Sequence, residues 1–152
     1  MLKKILIAIV IIGAVAVAII GYGTYKIADE ALKEQEPALR QYIQMTEQVQ
    51  NAYVLEHAKD LISQALLDST PEEKAEFEIA DKTKDDPVVQ KALIDLGRSV
   101  MAIGIMHSDA IVKDLNADVK AKYQKEADEI KTRVEKYGQV VEDAKQKLKS
   151  AK

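Results

Sequence analysis

The sequence predicts an all-α protein: an N-terminal transmembrane helix followed by an antiparallel helical bundle of three long helices and one short helix. Three observations carry this. The 152-residue chain is 47% hydrophobic and 31% charged, with only three prolines and six glycines to interrupt helices. Apolar residues recur at spacings of three and four along most of its length. From Ile5 to Tyr25 no residue is charged.

The opening stretch "MLKKILIAIVIIGAVAVAIIGYGTYK" defines the first element. Its uncharged run of 21 residues, Ile5 to Tyr25, spans the roughly 30 Å hydrocarbon core of a bilayer as a helix. Ile5, Ile7, Val10, Ile12, Val15, Val17 and Ile20 supply the lipid-facing surface, and Tyr22 and Tyr25 stand where an interfacial aromatic belt belongs. Lys3 and Lys4 before the run, against Asp29 and Glu30 after it, place the N-terminus in the cytoplasm and the body outside, periplasmic or extracellular. The competing reading is a cleaved signal, because Ala14-Val-Ala16-Val-Ala18 offers small-residue cleavage sites. The division expected is a signal anchor over 1–25, a juxtamembrane helix over 26–37 and an exported bundle over 38–152.

Four segments follow the anchor, at about 26–68, 71–83, 87–115 and 117–150. In the first, Tyr42, Met45, Val49 and Ala52, then Ala58, Leu61 and Ala65, form a loose stripe, and Pro37 is expected to kink or restart the helix. The second opens at "STPEE", with Thr70 as N-cap, Pro71 at the first helical position and Glu73 as the capping-box partner. Being short, it reads as a cap or connector. Asp86 and Pro87 open the third, where Val89, Leu93, Leu96, Val100, Ile103, His107 and Ala110 make a heptad seam. "SVMAIGIM", residues 99–106, is apolar nearly all round, which suits a helix surrounded by neighbours. Asn116 caps the fourth, whose seam is Tyr123, Ala127, Ile130, Val134, Tyr137, Val141, Ala144 and Leu148.

Chemistry is hard to find. There is no cysteine, which removes disulfides, thiolate metal sites and Cys nucleophiles. The net charge is −3, with an acidic middle and a basic C-terminal segment, and nothing is basic or aromatic enough for a nucleic-acid groove. His57 and Asp60 share a helix face without a third ligand, and neither histidine belongs to a Glu-x-x-His pair. His107, in the seam, reads as a buried core imidazole. The serines lack a nucleophile-elbow setting, and no glycine-rich phosphate loop follows a strand.

Two features point to contacts instead. Gly97 and Gly104, with Ser108, lie on one helix face and would let another helix approach closely. Lys145, Lys147, Lys149 and Lys152 make an interaction tail. The functional expectation is therefore a membrane-anchored, non-enzymatic protein-interaction or assembly protein, a scaffold or tether acting outside the cytoplasm. Its expected partners are other proteins or further copies of itself, with the membrane engaged through the N-terminal helix and without nucleic acid, cofactor, metal or small-molecule substrate. The alternatives are a ligand-sensing or small-molecule-binding bundle with a cavity around Ile103, Met106 and His107, and a secreted adhesin or envelope tether released by signal cleavage.

Overall fold

Side-chain caps and prolines set most of the helix starts. The computed structural model describes residues 36–150. Among them are seven helices: α1 (36–44), α2 (Glu47–Asp68), α3 (Pro71–Thr83), α4 (Pro87–Met106), α5 (Asp109–Val112), α6 (Ala117–Asp128) and α7 (Ile130–Ser150). Asp86 Oδ1 accepts hydrogen bonds from the amides of Val88 at 2.8 Å and Val89 at 3.2 Å, with Pro87 behind it in the first turn of α4. Asn116 Oδ1 accepts from Val119 N at 2.9 Å to start α6, and Thr46 Oγ1 accepts from Val49 N at 3.4 Å to start α2. Each cap satisfies an amide that has no partner within its helix.

The membrane expectation is corrected. No helix among the described residues is long and apolar enough to cross a membrane. The anchor residues, from Ile5 to Tyr25, lie outside the described residues. The described fold thus carries no support for a single-pass topology, a membrane contact or an exported location, and those readings are set aside.

The division into three long helices and one short one is corrected as well, because three of the four segments are broken. The first breaks at Met45 and Thr46, where Met45 N donates to Tyr42 O at 3.1 Å; Pro37 is the second described residue of α1, and the chain before it lies outside the described residues. That break resets the helical phase. The buried face of α2 is therefore Gln50, Val54, Ala58 and Ile62, while Val49 is 51% exposed and Ala52 faces solvent. The third segment stops at Met106, and Ser108 Oγ caps α5 by accepting from Ile111 N at 3.4 Å. The last breaks at Glu129, the C-cap of α6 with φ −80 and ψ 0. Only that one residue separates α6 from α7, so the seam stays in phase from Tyr123 and Ala127 to Tyr137, Val141 and Ala144.

Helix α4 is the central element, packed against α2 on one side and against α6 and α7 on the other. Val54 meets Gly97, Asn51 meets Arg98 and Lys59 meets Asp85, so α2 and α4 run antiparallel. Ser99 bonds the carbonyl of Glu126 and Arg133 bonds the carbonyl of Asp95, so α6 and α7 also run antiparallel to α4. Short α3 packs against both α2 and α7, while α1 is tied to the α5 region by Arg40, which donates to Asp114 Oδ2 at 2.8 Å and to Ala110 O at 3.2 Å.

The apolar interior is divided in two. One cluster gathers Ala58, Ile62, Phe77, Ala80, Val89, Leu93, Leu96, Tyr137, Val140, Val141 and Ala144 from α2, α3, α4 and α7. The other gathers Leu39, Tyr42, Val54, Met101, Ala102, Ile105, Ile111, Tyr123 and Ala127 from α1, α2, α4, α5 and α6. Between them along α4 come Arg98 and Ser99, both buried.

Candidate functional site, a charged layer and the groove above it

The layer is built on Arg98. A guanidinium offers five donors in a fixed fork, and α4 aims this one between the two flanking helices. Its Nη1 donates to Gln50 Oε1 at 3.1 Å and to Asn51 Oδ1 at 2.9 Å, both on α2. Its Nε donates to Glu126 Oε1 on α6 at 2.9 Å. Gln50 turns its other end inward, and Nε2 donates to Tyr42 O at 2.8 Å and to the Tyr123 hydroxyl at 3.3 Å. One arginine thereby joins α2 to α6, and through Gln50 reaches α1.

A second arginine braces the helix junction. Arg133, in the first turn of α7, donates from Nη1 to Asp95 O at 2.8 Å and to Ser99 Oγ at 3.0 Å, and its Nη2 pairs with Glu129 at 2.8 Å. Ser99 Oγ in turn donates to Glu126 O at 2.6 Å, a carbonyl in the last turn of α6. The break at Glu129 is thus held from α4 by a hydroxyl and from α7 by a guanidinium.

Burial sharpens the electrostatics. The Arg98 and Glu126 side chains are only 6% and 13% exposed. Burial alone would lower the Arg98 pKa, but its hydrogen bond to Glu126 and the fields of Tyr42, Glu126 and Glu47 leave it above the ordinary arginine value. It stays charged at every accessible pH. Burial pushes the hydroxyl pKa of Tyr42 well up, and that of Tyr123 up with partial relief from Gln50.

Over this layer lies an open groove of about 400 Å3. Its floor is the α4 face opposite the core, where Pro87, Gln90, Lys91, Ile94, Asp95 and Arg98 follow helical spacing over about 16 Å. Glu47 and Asn51 of α2 form one wall; Glu126 and Arg133 form the other. Three bases, Lys91, Arg98 and Arg133, are balanced by three acids, Glu47, Asp95 and Glu126. Arg98, Arg133 and Glu126 are committed to one another and to the helices, whereas Lys91, Asp95 and Glu47 make no ion pair among the described residues. None of the lining side chains is a hydroxyl, thiol or imidazole.

No family model matches this chain, and no curated protein or solved structure matches it either. The site is therefore read from its own geometry.

The residues singled out in the sequence fall in different places. Gly97 lies where α4 crosses α2, and a Cβ there would collide with Val54 Cγ1. Gly104 is buried, and the Ser108 side chain is occupied in capping α5. Lys147 and Lys149 are exposed at the end of α7, Lys145 is half-buried, and Lys152 lies outside the described residues. His107 is exposed at the α4 C-cap and not in a buried seam, because α4 ends there. Ile103 and Met106 pack at the edge of the second apolar cluster, away from the groove. His57 stacks on Tyr53 at 4.2 Å and its Nδ1 lies 3.2 Å from Tyr53 O. No group of three or more His, Cys, Asp or Glu among the described residues could hold a metal.

Sequence reading missed the layer entirely. Arg98 and Gln50 each sit among apolar residues at helical spacing, yet an isolated polar residue near a seam carries no mark of whether it is buried. The one available signal was "LGRSV", an arginine and a serine inside an otherwise apolar run.

Proposed function

We propose that this domain acts without catalysis, by holding a polar helical segment of another protein in the groove along α4. The observation that carries this is the outward face of α4, left open between two flanking helices that run parallel to each other. That is the position a further helix takes in a bundle. Small-molecule pockets are enclosed and mostly apolar; this groove is open, and only Pro87 and Ile94 are apolar among its lining residues. Its mixed and balanced charges suit a partner that forms hydrogen bonds and ion pairs, with Lys91, Asp95 and Glu47 available to make them.

Photocrosslinking tests this reading. A photoreactive residue at Gln90, in the groove, is compared with one at Lys82, exposed on α3, in the cells that make the protein. Discrete protein adducts from Gln90 that are absent from Lys82 and lost on Lys91→Glu are expected. Equal labelling from the two positions, or adducts that survive the charge reversal, would overturn it.

A further inference from the structure

We infer that the buried Arg98 and Glu126 pair is a latch between two halves of the molecule, and that the half built from α1, α5 and α6 opens while the half built from α3, α7 and the N-terminal part of α4 stays folded. This stands apart from the groove reading, since it concerns the chain alone. Two observations meet at the same place. The apolar interior separates into two clusters, and the side chains at the boundary are Arg98, Ser99, Gln50, Glu126 and Arg133, joined by hydrogen bonds. The chain also changes character there. On one side run uninterrupted stretches of α2, α4 and the 21-residue α7; on the other are the four-residue α5 and the 12-residue α6, set off by breaks at Met45 and Thr46, His107 and Ser108, and Glu129.

Helices this short are not stable on their own in water and depend on tertiary contacts. The contacts that hold α1 and α6 to the rest are the second apolar cluster and the charged layer, so losing either frees both helices together. The layer is the more brittle of the two. An apolar contact weakens gradually with distance, whereas separating a buried guanidinium from its carboxylate leaves an uncompensated charge until water enters. Opening is consequently a discrete event, and its product exposes Tyr42, Ile105 and Tyr123 at one end of an otherwise folded molecule. Segments of low local stability of this kind are where proteins place moving parts.

Native-state hydrogen exchange of the full chain, read by mass spectrometry, tests this. Amides of 39–44 and 119–127 are expected to exchange through a shared opening well before those of 89–96 and 137–144, which wait for global unfolding. Glu126→Gln keeps the shape and removes the charge, and because it raises the free energy of the native state itself it is expected to cut protection in 119–127 by about a hundredfold, the low end of what breaking a buried pair costs, and in 137–144 by the same factor, so that 119–127 still exchanges first. One common level of protection across the wild-type chain would overturn the inference without any variant. So would protection in 119–127 left unchanged by Glu126→Gln, because the pair would then stay closed in the opened form and would not be the latch.

Discussion

Three buried tyrosines carry the pH response at the scale of single residues. Tyr42, Tyr123 and Tyr137 have phenolic pKa values raised above the ordinary value, chiefly because burial penalises the phenolate. In the unfolded chain the same groups lose their protons near pH 10. Below that pH both states are protonated and the folded state keeps its full stability. Above it the unfolded chain releases protons first, and each tyrosine removes about 1.4 kcal/mol per pH unit until its folded value is reached. Stability should therefore fall steeply from about pH 10, with tyrosinate absorbance appearing together with the loss of helical circular dichroism. Tyr137 adds a second handle, since its buried hydroxyl has no hydrogen-bond partner among the described residues. An unsatisfied buried polar group costs about 1–3 kcal/mol. Tyr137→Phe should be at least as stable as the parent at neutral pH, gaining about 1 kcal/mol, and its alkaline decline should be shallower by one group. A clear loss at neutral pH would show that the hydroxyl is satisfied.

The crossing of α2 and α4 shows what can be learned at the scale of elements. Gly97 lets Val54 sit against the α4 backbone, so Gly97→Ala should destabilise by about 1–3 kcal/mol through overpacking, despite the better helix propensity of alanine. Val54→Ala in the same chain should recover part of that loss, because it vacates the space the new methyl needs. Denaturant titration of the two single variants and the double variant reads the result, and additive losses would show that the two residues do not compete for space. The glycine was legible as a contact marker because a helical glycine costs stability without some offsetting contact. The starts at Pro71, Pro87 and Ala117 were legible for a similar reason, since Pro and a capping Asp or Asn have local backbone consequences. The breaks at Met45 and at Glu129 were not. Neither carries a proline or glycine, and the heptad pattern runs through Glu129 unchanged because one residue outside the helix preserves the phase. Ser108 did carry a capping signal, but the apolar run before it pulled His107 and Ala110 into a seam that α4 does not continue. The stripe through Val49 and Ala52 was misplaced because Thr46 restarts the helix in a new phase.

For the whole molecule, an arginine on one face of α4 organises everything around it: two apolar clusters, a helix junction and the lining of a groove. Such a layer is not a simple gain in stability, because removing two charges from water costs about as much as their attraction returns. Its distinctive property is that each partner is costly to lose alone. It also explains why the candidate site was harder to read than the fold. Helical character comes from composition and periodicity spread over many residues, whereas the site comes from Gln50, Asn51, Arg98, Glu126 and Arg133, which are far apart in sequence and individually ordinary. Only the antiparallel packing of α2 and α6 against α4 brings them together.

The most direct test of that central claim is a double-mutant cycle on Arg98 and Glu126, read by denaturant unfolding of Arg98→Met, Glu126→Leu and the double variant. If the pair is the buried joint described above, each single change should cost about 3 kcal/mol and the double change much less than their sum, with a coupling of about 2 kcal/mol or more. Costs that add to within about 0.5 kcal/mol would mean that the two side chains do not depend on each other, and would contradict the account.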